Sequence, residues 1–183
     1  MKTRVGLVVA ALALAAHTAA AQSPARKDFQ IFQDVSTAVN RYVYFTIFDD
    51  VSASVQNGEV TLTGKVTMPY KSTDLEKRVA KLTGVTQVVN QIAVLPVSQF
   101  DDELRLGIAR AIYGNSNFWG YGSMVNPPIH IIVDHGRVTL TGVVGNEVDR
   151  MLARSLATQF GALSVTNALK TDAEMRELLE KSE

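Results

Sequence analysis

Short runs of alternating apolar and polar residues recur along this chain, and two of them lead into the same phrase. Val51, Ala53 and Val55 alternate with Ser and Gln, and the run passes into NGEVTLTG at residues 57–64. Ile129, Ile131 and Val133 lead likewise into HGRVTLTG at residues 135–142. A period of two predicts strands with one buried face, and a repeated phrase predicts a repeated unit. Asn57-Gly58 is the strongest short hairpin signal, because both central residues of a type I′ turn need positive φ; His135-Gly136 stands in the matching place. Val60 and Leu62 point to one face of the second strand and Thr61 and Thr63 to the other. Gly58, Gly64, Gly136 and Gly142 are thus the turn and strand-end glycines of two matched hairpins.

Helical periodicity frames each hairpin. Phe32, Val35, Val39 and Val43 recur at helical spacing and are expected to bury one face. Val35, Val39, Arg41, Val43 and Tyr44 pair with Leu104, Ile108, Arg110, Ile112 and Tyr113 in the second copy. Behind the first phrase a helix over 72–82 turns Leu75, Val79 and Leu82 inward. Behind the second, a helix over 147–160 turns Val148, Leu152 and Leu156 inward. Gly84 and Gly161 stand where a helix end wants a left-handed residue. Strands over Val85 to Val94 and through Val165 and Leu169 close the units. The reading is α+β: two tandem αββαβ units, each a three-stranded mixed sheet packed on two helices. Two helices cannot cover both faces of such a sheet, so the other face is expected to be exposed or to meet the other unit. Asp49-Asp50, in the link before the first strand, reads as a solvated turn.

The organisation expected is a leader at 1–21, a flexible lead at 22–30, a first unit at 31–96, a linker at 97–100, a second unit at 101–171 and a charged tail at 172–183. Lys2 and Arg4, an apolar run over 5–16 and Ala19-Ala20-Ala21 have the form of a secretory signal peptide. With no cysteine, the chain lacks the residue that lipid anchoring would modify, and no disulfide or thiolate chemistry is open to it. Export to the periplasm in soluble form is the expectation. The 18 basic residues balance the 18 acidic ones, which offers nucleic acid no basic footprint.

Two copies of G-x-V-T-L-T-G, each preceded by an alternating strand and followed by a charged helix, a glycine and V-x-[VT]-N, resemble the BON family, in the tandem arrangement of osmotically inducible periplasmic proteins. The resemblance covers about Phe32 to Lys170. It implies an αββαβ fold, no enzymatic activity, no cofactor, and a role in contacting phospholipid membranes and maintaining the envelope under stress. Some relatives are lipoproteins, a pattern from which this chain departs.

The residues themselves give catalysis little to work with. His17 falls in the leader, His130 alternates on a strand and His135 sits in a turn. No Ser lies in a G-x-S-x-G elbow, and Gly120-x-Gly122 lacks the third glycine of a dinucleotide loop. Asp101, Asp102 and Glu103 start a helix, where negative charge meets the macrodipole favourably, and this reading is preferred to a metal cluster. Neither a catalytic nor a metal residue is assigned.

One segment breaks the symmetry. Between its first helix and first strand the second unit inserts residues 115–124, with Phe118, Tyr121, Met124 and the single Trp, Trp119, set among glycines. Such rings either fold back as a lid or fill the contact between units, or they meet a membrane interface or a protein partner. Arg150 and Arg154 on the second unit's helix could add attraction to anionic headgroups, or pair with Glu147 and Asp149 instead. Three rings half buried yield on the order of 6–9 kcal/mol gross, mostly offset by association costs of about 4–15 kcal/mol. The contact is therefore expected to be transient. The candidate contact residues are Phe118, Trp119, Tyr121, Arg150 and Arg154, with a phospholipid surface or an envelope protein as partner; a chaperone-like module that binds polypeptide by strand addition is the alternative.

Overall fold

The computed structural model of the protein describes residues 27–180. The expected leader, most of the lead and the last three residues of the tail lie outside them. The order is α1 (Asp28–Asn40), β1 (Asp50–Gln56), β2 (Glu59–Val66), α2 (Pro69–Val79) and β3 (Gln87–Val94), then α3 (Gln99–Tyr113), a 3-10 turn (Ser116–Phe118), α4 (Trp119–Gly122), β4 (Ile129–Asp134), β5 (Arg137–Val144), α5 (Glu147–Ala157), a second 3-10 turn (Thr158–Phe160), β6 (Ser164–Asn167), β7 (Lys170–Thr171) and α6 (Asp172–Glu180). β1 and β2 pair antiparallel, and β3 joins β2 in parallel. β4, β5 and β6 repeat that pattern, and β7 continues the parallel edge beside β5. The tail is thus a helix over Asp172–Glu180 preceded by a fourth short strand that the sequence did not reveal.

Each hairpin turns as its sequence requires: Asn57 and Gly58 take φ of 52° and 79°, and His135 and Gly136 take 51° and 74°. A carboxylate holds each turn from below. Asp28 accepts the amides of Asn57 and Gly58 at 2.7 and 2.9 Å, and Asp101 accepts those of His135 and Gly136 at 2.9 and 2.7 Å. Asp101, read from sequence as a helix-start charge, is completely buried in this second task. Gly64 and Gly142, at φ of 121° and 111°, lie where a Cβ would overlap the carbonyls of Asp50 and Pro128. The phrase ends in glycine because another stretch of backbone occupies the side-chain space. The closing asparagines also act alike. Asn90 donates to Ser72 and Glu76 of α2, and Asn167 donates to the Arg150 carbonyl of α5.

The first helix departs from expectation. Its buried residues are Ile31, Val35 and Val39; Phe32 is 42% exposed and Val43, beyond the helix, 79%. Their counterparts are Leu104, Ile108 and Ile112, all buried. The two helices therefore align one turn away from the sequence pairing of Val35 with Leu104. A shift of one turn leaves the apolar face almost unchanged, so periodicity cannot detect it. The Asp28–Asp101 correspondence fixes the register.

α5 also differs. Ala153 and Ala157 are fully buried, Leu152 and Leu156 flank the core, and Val148 is 65% exposed. Small side chains let α5 approach α3 closely and rotate its buried face away from Val148. The Asp49-Asp50 reading fails at its first residue, since Asp49 is fully buried. Its carboxylate accepts from Thr46 N and Oγ1, Thr67 N and Oγ1, and Lys71 Nζ at 2.5–2.9 Å. Lys71, on the first turn of α2, is only 4% exposed. Burial alone would raise the Asp49 pKa, but the Lys71 ammonium and the Thr67 and Thr46 donors hold it below the usual carboxylate value.

The units meet through the outer face and edge of β4. Ile131 N donates to Ile47 O at 2.7 Å, and His130 Nδ1 lies 2.6 Å from Asp49 O, so it donates to that carbonyl. The Phe45 ring stands 5.5 Å from the His130 ring. Lys65 pairs with Asp134 at 2.5 Å, and Asn126 donates to Asn40 O at 3.0 Å. β4 is consequently buried on both sides, with Ile129, Ile131 and Val133 at 0% exposure and Ile132 at 5%. The uncovered sheet face is partly an interface, as the layer argument expects.

Candidate functional site: the aromatic insert

α3 ends at Tyr113 with Gly114 as its cap, and the Asn115 side chain accepts the Asn117 amide at 3.0 Å, which starts the 3-10 turn. That turn drives Phe118 into the second core, where it is fully buried. The Tyr121 ring lies 5.9 Å from Phe118. Its hydroxyl accepts the Gly145 amide at 2.8 Å and donates to Asp149 at 3.3 Å, tying α4 to the start of α5. Burial, above all, raises the Tyr121 pKa, so the phenol stays protonated and available to donate. Tyr113 adds a second tie, donating to Ile129 O at 2.5 Å and accepting the Ile129 amide at 3.1 Å.

Of the three rings in the insert, one is buried, one is held by hydrogen bonds and one is left exposed. Phe118 is a core anchor and cannot touch a partner without unfolding the segment, which corrects its assignment as a contact residue. Tyr121 is mainly a brace. Trp119 is the ring left outside, 65% exposed, with its indole N–H 3.3 Å from Gly114 O. Met124 at 50% and Val125 at 98% continue the apolar surface along the insert, and Val148 and Met151 expose 65% and 60% on α5.

The two arginines separate as well. Arg150 pairs with Glu147 at 2.5 Å and with Glu174 of α6 at 2.9 Å, and these carboxylates, Glu147 first, hold it further in its charged state. It is spent on fastening the tail, which corrects its reading as a headgroup contact. Arg154 is exposed and has no ion pair among the described residues. Sequence reasoning missed Val148 and Met151 because it assigned Val148 to the core. The alanines at 153 and 157 were the available signal, since only small residues permit the close helix packing that turns Val148 outward.

Among the described residues, no helix is long and apolar enough to cross a membrane, and no group of three or more His, Cys, Asp or Glu is placed to hold a metal ion. Among curated proteins no relative matches the chain. Solved structures similar to it include the C-terminal domain of CdsD, the structural protein of the type III secretion system of Chlamydia trachomatis, at 13% identity and a TM-score of 0.33, over 80% of this chain and 67% of that one. A second structure of CdsD matches at 14% identity and a TM-score of 0.28, over 82% and 97%. The family model for the BON domain, an envelope-associated and generally non-catalytic module, matches residues 27–96 and 122–173. The insert falls between these spans up to Tyr121. The two spans take in more than half of the chain and fall on the two helix-and-sheet units, so the chain belongs to the BON domain family.

Proposed function

We propose that this protein is a non-catalytic periplasmic module that makes transient contact with phospholipid surfaces through its second unit and supports the envelope under stress. The observation that carries the reading is Trp119: an exposed indole on a segment held rigid by a buried Phe118 and a hydrogen-bonded Tyr121. Indole favours the region between hydrocarbon and water. Burying the exposed 65% of a Trp whose whole area is roughly 150–250 Å², at ~25 cal/mol/Å², yields on the order of 2–4 kcal/mol. This is less than three rings would give and below most association costs of about 4–15 kcal/mol. Arg154 adds at most about 1 kcal/mol toward an anionic surface. The contact is weak and reversible, and useful where many copies or other anchors act together.

The test is the emission of the single Trp. Anionic vesicles should shift it to the blue, and Trp119→Ala should reduce vesicle co-sedimentation without changing the melting temperature. An emission that ignores lipid of every composition, with unchanged sedimentation of the variant, would refute the reading.

A second reading rests on a different surface. Tyr44, Tyr70, Met68, Val43 and Leu106 expose roughly half or more of their areas around a 460 Å³ groove at the junction of the units. Tyr42, Tyr44 and Tyr70 form an edge-to-face series with centroids 5.7 and 5.9 Å apart. Such a surface suits apolar side chains of a polypeptide. Capture of unfolded periplasmic chains without lipid, lost in Tyr44→Ala and kept in Trp119→Ala, would favour it.

A further inference from the structure

A polar groove on the outer face of the second sheet takes no part in the lipid reading. Arg137 on β5 lies opposite Asp134 on β4 and Ser164 on β6, while Thr139 lies opposite Ile132 and Thr166. These six, with His135 and with Lys65 from the first unit, line a 220 Å³ cavity. A second cavity of 190 Å³ shares Lys65, Ile132 and Thr139 and is completed by Asp50, Gly64 and Thr141. The Thr141 hydroxyl there is buried and has no hydrogen-bond partner. Buried hydroxyls in folded proteins are nearly always satisfied, so this end of the groove wants a polar guest.

The donor set identifies the guest. Asp134 already takes Lys65 at 2.5 Å and His135 at 2.6 Å. These two neighbours, Lys65 first, hold its carboxyl below the usual value, so it stays ionised. Arg137 has no ion pair among the described residues, and the hydroxyls of Thr139, Ser164 and Thr166 make no side-chain hydrogen bond there. A guanidinium without an ion pair and three hydroxyls without side-chain partners therefore line one cavity, beside a Lys65 ammonium that neutralises Asp134. Asp134, His135 and Asp50 are not grouped so as to hold a metal ion, and a sugar ring would find no Phe, Tyr or Trp in the lining. A tetrahedral oxyanion accepts from every donor present and is small enough to leave room for an ester substituent. We propose that this groove is a binding site for an oxyanion of the phosphate class, with Arg137 as its principal charge and Thr139, Ser164 and Thr166 as its hydrogen-bond donors.

The experiment titrates the protein with inorganic phosphate at constant ionic strength and follows backbone amide resonances. Signals of residues 137–139 and 164–166 should move saturably, and matched chloride should not move them. Arg137→Gln should weaken the binding about tenfold or more, as loss of a charge-assisted contact does. Thr139→Val with Thr166→Val keeps strand-forming shapes and should also weaken it. Chloride shifts equal to those of phosphate, or titrations unchanged in Arg137→Gln and in the double variant, would overturn the proposal. Trp119→Ala should leave the phosphate titration intact, so this site and the lipid reading stand or fall separately. Phosphatidylcholine vesicles with and without phosphatidic acid identify the source. Competition with inorganic phosphate assigns a lipid headgroup to the groove; binding of the free ion without such competition assigns a soluble phosphate, and both support the site.

Discussion

Asp49 carries more than any other polar side chain of the first unit. Five hydrogen bonds converge on its carboxylate, and its own carbonyl receives His130 from the second unit. Asp49→Asn leaves the Lys71 ammonium buried beside a neutral amide, which should destabilise the protein by about 3–5 kcal/mol in urea denaturation. The pH dependence has a definite sign. The folded pKa lies below the unfolded one, so this contribution is complete above the ordinary carboxylate range and disappears as pH falls through the folded value. The stability difference between wild type and Asp49→Asn should therefore shrink on acidification; a constant difference would show that the charge is not what the site uses. Gly142 is the complementary case, where the missing side chain matters. Gly142→Ala forces a Cβ against the Pro128 carbonyl at positive φ and should cost at least ~2 kcal/mol by thermal melts. Gly161, also at positive φ but with nothing within 4 Å, should tolerate alanine better.

At the scale of elements, the insert predicts opposite outcomes for adjacent rings. Phe118→Ala should lose about 3–5 kcal/mol, while Trp119→Ala should stay within ~0.5 kcal/mol, both by denaturant unfolding. Comparable losses from the two would mean that the 3-10 turn does not sort them as described. Local composition alone could not assign these roles, because Phe, Trp and Tyr in one loop differ only in what the folded second unit presents to each. The strands and turns were legible because their cues are local: a period of two, Asn-Gly, and glycine at the end of each phrase. The helices were legible as elements and illegible in register, since Phe32 and Ile31 serve equally well in a period of 3.6. Asp49 with Lys71, and Asp101 with its hairpin, stayed hidden for a different reason. A buried carboxylate is recognised by partners far along the chain, and a lone acidic residue in a link or a first helical turn looks solvated until those partners are in place.

For the whole molecule, the joint between the units decides whether they behave as one body. Its half-buried ion pair, Lys65–Asp134, should contribute about 1 kcal/mol, so Lys65→Ala should lower the melting temperature only slightly. Ile132 is buried there and belongs to the joint face of β4. Ile132→Ala should cost about 2–4 kcal/mol and lower hydrogen-exchange protection in both units if folding is shared; protection lost in the second unit alone would show that the units open independently. The bond from Ile131 N to Ile47 O has a further consequence. β4 is the outermost strand on its side of the second sheet, and the stretch before β1 lies along it like a cover strip. Lifting that strip would present an isoleucine-rich strand with unpaired amides and carbonyls to any other copy that had opened in the same way. Destabilising the joint should then appear first as concentration-dependent dimerisation, before either unit melts, because the contact that fixes the tandem arrangement also covers the edge through which two opened copies would pair.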